Sequence, residues 1–446
     1  MNADVAVVGA GPGGLAAATA AARAGAHVVL IDGYANAGGQ YSKQRFDAAR
    51  PRAGSYDTRV YAVSRRDRAL PFRLYATRAG RPLTIDARAL VLAPGAYERA
   101  LPFPGWDLPG VMTPGAAQTL VKAHGVRPGN RVAIAGSGPF LLPVAIALLE
   151  ASARIVGIYE AASLPALWRM PAALAQMPER ALQAGCYART LRDAGVPVHF
   201  GRAVTSAHGE ERLETIRIAR VDRLWRPRAG GEYDVAVDVL CTGFGFLAQT
   251  DLADQLQCKR YEDGGAFFVA CGERAQTSVP GAYAAGEISG IRGAEAALAQ
   301  GEIAGIGAAA YCGKLTRAQA AFAAREPARR FAKHAAFAGA LARSYSVRRG
   351  WTAWLRDDTL VCRCEEVPAG AIRDAVTSGA RDLRAVKALT RCGMGLCQGR
   401  MCAYAAAQIT AELTGSTPAA VGTFTRTGLA IPVPLNHLAH ASTGSA

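Results

Sequence analysis

The stretch that decides the fold reads Asp4-Val5-Ala6-Val7-Val8-Gly9-Ala10-Gly11-Pro12-Gly13-Gly14. An alanine-rich run follows from Leu15 to Ala24, then Gly25, then His27-Val28-Val29-Leu30-Ile31-Asp32. Asp4 to Val8 is an apolar strand, the glycines are a tight loop, and Leu15 to Ala24 is a helix closed by Gly25. His27 to Ile31 is the next strand. In such a βαβ unit Gly9 permits the turn, Gly11 lets backbone approach a pyrophosphate, and Gly14 lets helix and strand pack closely. The helix N-terminus offers partial positive charge to the phosphates. Asp32, 23 residues after Gly9, can accept ribose hydroxyls. Strand, loop, helix, strand and acid stand in order, so a nucleotide site is expected here.

A second unit of this kind begins at Arg131. Val132 to Ala135 is a strand, Gly136-Ser137-Gly138-Pro139-Phe140 a loop, Leu141 to Ala151 a helix, and Ile155 to Tyr159 a strand ending at Glu160. Leu141 occupies the third glycine position, where bulk is expected to push helix from strand and crowd the phosphate approach. Glu160 would still suit a ribose. A further adenine nucleotide such as NAD and a redox-silent remnant of the fold are both open readings of this second site.

Around these units the chain has 446 residues, enough for about two to four domains. Its formal net charge is +16, from 51 Lys and Arg against 35 Asp and Glu. The excess is scattered arginine without a basic block interleaved with aromatics, which argues against a nucleic-acid partner. Met1-Asn2-Ala3-Asp4 lacks the positive start of a secretory leader, and the apolar stretch from Val132 to Ala153 is broken by Gly136, Gly138, Pro139 and Pro143. No membrane span and a reducing, cytoplasmic setting are therefore expected. In that setting clustered thiols are ligands more often than disulfides.

Five of the ten cysteines stand near the C-terminus, as Cys362-Arg363-Cys364, then Cys392-Gly393-Met394-Gly395-Leu396-Cys397, then Cys402. Two loops can bring four thiolates, Cys362, Cys364, Cys392 and Cys397, to one point. Gly393 and Gly395 let backbone N–H groups turn towards sulfur. Four cysteines are the usual complement of a [2Fe-2S] cluster. Structural zinc, the rival, favours CxxC knuckles and histidine, and neither is here. Cys402 falls on the following helix and is set aside as a ligand. Cys186, Cys241, Cys258, Cys271 and Cys312 are scattered, so no dithiol can relay electrons and each reads as a small buried hydrophobe. No Ser/His/Asp set is present, and no catalytic residue is assigned. Between Lys314 and Asp358 a helical, arginine-rich segment reads equally as a docking surface or as a solvated connector.

Three further strand ends lie along the chain: Ala93-Pro94-Gly95, Cys241-Thr242-Gly243, and Gly281-Ala282-Tyr283-Ala284-Ala285-Gly286-Glu287, the last before a helix from Ala294 to Ala310. With the two glycine loops, they resemble the two-dinucleotide-domain flavoprotein disulfide-reductase superfamily. That resemblance implies FAD in the first site, with Glu287 at the flavin's ribityl chain, one methylene longer than the usual aspartate. It implies an α/β fold with two Rossmann-like domains, the second inserted in the first. Residues 1–111 and 231–313 would form the FAD-binding domain, 112–230 the second nucleotide-binding-like domain, 314–358 the linker and 359–446 a small helical iron-sulfur domain.

The tail is similar to the [2Fe-2S] domain of bacterioferritin-associated ferredoxins. Gly38-Gly39-Gln40, Pro102-Phe103-Pro104-Gly105-Trp106, Leu108-Pro109-Gly110-Val111-Met112, Gly136-Ser137-Gly138-Pro139 and Cys392 to Arg400 follow in order. Together they resemble the FAD-type α subunits of heteromeric amine and amino-acid dehydrogenases, the group of opine oxidase, hydrogen cyanide synthase and D-hydroxyproline dehydrogenase. The resemblance implies a cofactor-binding set of Gly9, Gly11, Gly14, Asp32, Gly39, Gln40, Gly95, Gly286 and Glu287. It implies a partner, an FAD-dependent subunit that oxidises the substrate's C–N bond, and allows a small ferredoxin-like subunit. The expected role is electron transfer, in the cytoplasm or at the inner membrane through partners. Two other classes compete: a self-sufficient NAD(P)H-dependent reductase, which Leu141 opposes, and a metal-sensing binding protein, which would be colourless or hold zinc.

Overall fold

Val5 and Val7 are buried on one face of the first strand and Ala6 and Val8 on the other. Ala89 and Val91 alternate with Leu90 and Leu92 in the same way. Both faces of this sheet are therefore covered, which is why its strands read as continuous apolar runs. A computed structural model of the chain describes residues 1–42, 56–66, 69–167, 170–424 and 428–442. The chain divides into two units: Met1–Tyr97 with Leu247–Ala338 and Arg426–Ala446, and Glu98–Phe246 with Gly339–Thr425.

In the first unit the sheet order is Val28–Ile31, Asn2–Val8, Arg81–Leu92, Phe72–Arg78, Thr58–Arg65, with Ala282–Ala284 also paired to Arg81–Leu92. The first three strands and Ala282–Ala284 run parallel, Phe72–Arg78 pairs antiparallel to Arg81–Leu92, and Thr58–Arg65 pairs antiparallel to Phe72–Arg78. Helix Pro12–Arg23 packs on helix Ala294–Tyr311. A Cβ on Gly301 would stand 2.1 Å from the carbonyl oxygen of Gly13, and one on Gly305 2.2 Å from that of Ala17. The Gly and Ala content of both helices follows from this close approach, which no larger side chain allows.

In the second unit five parallel strands stand in the order Val198–Phe200, Arg154–Glu160, Arg131–Gly136, Val239–Gly243, Val111–Met112. A three-stranded antiparallel sheet, Arg202–His208, Thr215–Arg220 and Tyr233–Ala236, follows. The cysteine-bearing segment belongs to this unit: a short strand pair, Leu360–Cys362 with Val367–Pro368, and helices Ala369–Thr377, Leu383–Thr390 and Ala403–Leu413. The basic segment forms helices Arg317–Ala323 and Arg325–Ser344, and the division between units falls within the second.

Candidate functional site

The first glycine loop is shaped by contacts that exclude side chains on one side and leave space on the other. Gly9 has φ +104°, and a Cβ there would meet the Ala93 carbonyl oxygen at 2.1 Å. A Cβ on Gly14 would meet the Gly9 carbonyl oxygen at 1.7 Å. Gly11 is different: among the described residues no atom lies within 4 Å of its Cβ position. That open face is where a diphosphate would rest. Asp32 is buried, and its carboxylate accepts the N–H groups of Ala10 and Tyr34. Burial pushes its pKa up, and the two amides oppose this. The segment after Asp32 returns to the loop, since Gly38 donates its N–H to the Ala10 carbonyl at 2.8 Å. Gly39 comes so near that its Cβ would lie 2.9 Å from Gly11 Cα. Gln40 donates to the Tyr34 hydroxyl. Asn36 Oδ1 is buried there without a hydrogen-bond partner among the described residues, and no motif in the sequence points to it.

Gly286 and Glu287 open a 3-10 turn beside this loop. A Cβ on Gly13 would stand 3.4 Å from the Gly286 nitrogen, so the two reach one place. Gly286 donates to Gln300 Oε1 at 3.0 Å, which fixes the turn on the following helix. Burial raises the Glu287 pKa, and the Gly293 amide opposes this. Gly95 has φ +78° and open space around its Cβ position, and its carbonyl accepts the Gln249 N–H at 3.1 Å. The expected cofactor-binding residues are thus all on or next to this one loop surface or at the end of its neighbouring strand.

At the second loop Leu141 is buried at the start of its helix in one cluster with Val132 and Ile134 of the strand and with Val144 and Ile158, so its side chain fills the helix–strand contact that a glycine would leave close. Among the described residues nothing lies within 4 Å of the Gly138 Cβ position. The feature over this loop is Tyr345: its carbonyl accepts Ser137 Oγ at 3.5 Å, and its phenol lies close enough to feel the Glu160 charge. Glu160 is buried and accepts the N–H groups of Gly138 at 2.9 Å and Ala162 at 2.7 Å. Nothing in the sequence pairs Tyr345 with this loop, because 208 residues separate it from Ser137.

The C-terminal cysteines gather in two subsets. The Sγ atoms of Cys362, Cys392 and Cys402 all lie within 4.8 Å of one another and are buried. Cys364 is exposed and Cys397 half-buried, and their thiols are hydrogen-bonded to each other. The tight turn requires Gly395, whose Cβ would be 2.2 Å from Cys364 Cβ. The thiols of Cys392 and Cys402 and the amides of Gly393 and Glu365 hold Cys362 as a thiolate, far below the ordinary thiol range. Cys402, set aside on sequence grounds, is in space beside two of the expected ligands. Trp106 secures this segment: its Nε1 donates to the Leu360 carbonyl at 2.6 Å, and Arg363 lies over its ring at 5.0 Å. Trp354 donates to the Trp225 carbonyl at 2.9 Å and stacks on its ring. Among the remaining cysteines Cys241, Cys258 and Cys312 are buried and Cys271 is half-buried; desolvation pushes Cys241 and Cys271 up to about 12 and Cys312 up to about 11. Cys186 is exposed on helix Pro178–Asp193, contrary to the expectation of a buried residue.

Comparison with known proteins agrees with these two centres. The family model of the pyridine nucleotide-disulphide oxidoreductases matches residues 3–301, and that of the BFD-like [2Fe-2S] binding domain matches residues 360–412. The chain belongs to the pyridine nucleotide-disulphide oxidoreductase family. Within that family it is 35% identical to the HcnB subunit of hydrogen cyanide synthase from Pseudomonas aeruginosa, with 90% of this chain and 91% of the relative covered. It is 32% identical to an opine oxidase subunit from Agrobacterium tumefaciens, with 98% and 91% covered. Among solved structures it shares the fold of L-proline dehydrogenase from P. horikoshii, with TM-score 0.70, 20% identity and coverage of 98% and 79%.

Membership of this oxidoreductase family implies FAD at the first loop, and the residues fit it. The open space at Gly11, the Gly286-Glu287 turn beside the loop and the buried Asn36 oxygen, which lacks a partner among the described residues, suit a polar group bound at this loop. The second match, with the five thiols and two inward amides, places a [2Fe-2S] cluster in the C-terminal segment. Among the described residues no helix is long and apolar enough to cross a membrane.

Proposed function

We propose that this chain is the flavin and iron-sulfur electron-transfer subunit of a heteromeric dehydrogenase or oxidase. The complex oxidises the C–N bond of an amino acid, imino acid or opine. One observation carries the reading: a flavin-type loop and a C-terminal group of five cysteines, three of them clustered, occur in one chain, while Cys258, Cys271 and Cys312 of the flavin-bearing unit are scattered thiols whose pKa desolvation raises. Such thiols are unsuited to disulfide relay. The relatives' names, subunits of a cyanide synthase and of an opine oxidase, support a multi-subunit amine oxidation.

In this reading Gly9, Gly11 and Gly14 bind the diphosphate of FAD, Asp32 the ribose and Glu287 the ribityl chain. Gly39, Gln40, Gly95 and Gly286 close around it. Cys362, Cys364, Cys392 and Cys397 hold the cluster. When bound, FAD accepts electrons in pairs and a [2Fe-2S] cluster passes them singly, so the chain joins two-electron oxidation to a one-electron path. Asp32 keeps lone pairs for ribose hydroxyls even while accepting two amides. Substrate chemistry belongs to a separate FAD-dependent subunit, and the assembly leaves room for a small ferredoxin-like subunit. The complex works in the cytoplasm and reaches the inner membrane only through such partners.

The test is purification of the tagged chain from its native host. A second FAD-containing polypeptide should co-purify, and amine oxidation should require it. Full activity of the isolated chain on an amino acid overturns the assignment.

A further inference from the structure

Away from the glycine loop, the first unit has a second concavity. Helix Ala294–Tyr311 leads through Gly313 into helix Arg317–Ala323, and strand Ala282–Ala284 packs on the first of these helices. A cavity of about 220 Å³ lies among them. Pockets for drug-sized ligands run to roughly 300–1,000 Å³, so this one suits a smaller molecule. Part of its lining is apolar and inward: Ile303, Ile306 and Ala320 are buried and Leu315 is half-buried. The Tyr283 ring completes that wall because residue 307 is glycine, where a Cβ would stand 2.7 Å from Tyr283 Cε1. The Tyr283 hydroxyl donates to the Gly307 carbonyl at 3.0 Å, so its proton is already engaged.

The exposed part of the lining is of the opposite kind. It carries Arg274, Arg317 and Tyr311. Arg274 sits in a turn closed by the Gly272 N–H on the Gln276 carbonyl at 2.9 Å, and Gln276 is bridged to Tyr283. Arg317 opens its helix directly after Thr316, which caps it. Among the described residues no acid lines the cavity, and neither guanidinium has an ion pair or a side-chain hydrogen bond. Two cations over a low-dielectric wall with no counter-charge focus a positive field into it.

We infer that this cavity binds a small aliphatic carboxylate. The two guanidiniums and the Tyr311 hydroxyl offer donors to the carboxylate oxygens, and Ile303, Ile306 and Leu315 enclose the hydrocarbon. An amine would meet two like charges, and an inorganic anion would leave the apolar wall uncovered. The inference stands on the geometry of the flavin-bearing unit and not on the electron-transfer reading, so either can fail without the other.

Isothermal titration of the full flavin-loaded chain with isovalerate tests it, with acetate and the neutral isovaleramide as comparisons. Isovalerate should bind one-to-one with a Kd below about 1 mM, and acetate and the amide at least about tenfold more weakly. Arg274→Gln/Arg317→Gln should weaken isovalerate at least about tenfold. Ala310→Leu, which puts bulk on the lining, should abolish binding. Flavin content and thermal midpoint matching the wild type show that each variant is folded. Should Ala310→Leu unfold, the exposed arginine pair and the amide still decide the matter. No binding of isovalerate up to about 10 mM overturns the inference, and so does binding unchanged in the arginine variant. Acetate or the amide binding as tightly as isovalerate overturns it too, since the site would then recognise only a charge or only a hydrocarbon.

Discussion

The carboxylate of Glu160 accepts the backbone N–H of Gly138 at 2.9 Å, so the second glycine loop is hydrogen-bonded by its own acid. Burial pushes the Glu160 pKa up to about 7, against an ordinary 4.5, with the Gly138 and Ala162 amides opposing the rise. The folded chain therefore keeps a proton that the unfolded chain loses. Stability should fall as pH rises from about 4.5 to about 7 and level off above, by at most about 3 kcal/mol from this group. Glu160→Gln removes the titration. Thermal unfolding at pH 5 and pH 8 should show the variant gaining on the wild type at the higher pH. A gain at the lower pH would mean that the loop holds the acid ionised.

Gly11 and Gly14 separate binding from folding. Gly11 has φ −73° and open space at Cβ, so Gly11→Ala should fold with an unchanged denaturant midpoint. It should purify with FAD reduced several-fold, because the methyl fills the diphosphate's place. Gly14→Ala drives a methyl into the Gly9 carbonyl and should cost about 1–3 kcal/mol of stability even before cofactor loss. Urea titrations of the two apoproteins check this.

Trp106→Ala removes the hydrogen bond to Leu360 and the surface on which Arg363 rests. Leu360 begins the strand that ends at Cys362. The variant should lose iron on dialysis against chelator faster than wild type while retaining FAD. Trp106→Phe keeps the packing and loses only the hydrogen bond, so its rate should fall between the two.

Much of the site is legible in the sequence because it is built from local motifs. The loop from Gly9 to Gly14, the acid Asp32 and the turn at Gly286-Glu287 each announce their backbone through glycine at fixed spacing. The structure puts Gly13 beside Gly286. What the sequence hides depends on chain returning from far away. Tyr345 reaches Ser137, Trp106 reaches Leu360, and Trp354 reaches Trp225, over 208, 254 and 129 residues. Cys402 is hidden for another reason: spacing suggests which thiols share a loop, but not which sulfur a helix start carries back to the others. Leu141 reads as an obstruction at the loop because it replaces a glycine. The structure buries it among core residues of the neighbouring strands, a contact the spacing alone does not give. The antiparallel strands Thr58–Arg65 and Phe72–Arg78 carry no motif, and only the structure shows them.

The central claim is that this chain receives electrons from a partner and from neither nicotinamide nor an amine directly. Anaerobic mixing of the purified chain with NADH, with an amino acid or opine, and with the same substrate plus the partner protein tests it most directly. Absorbance of the flavin and resonance of the reduced cluster are the readouts. Bleaching of the flavin and appearance of the cluster signal only in the mixture containing partner is the predicted result. Rapid reduction by NADH alone, or by the amine with no partner present, contradicts the account.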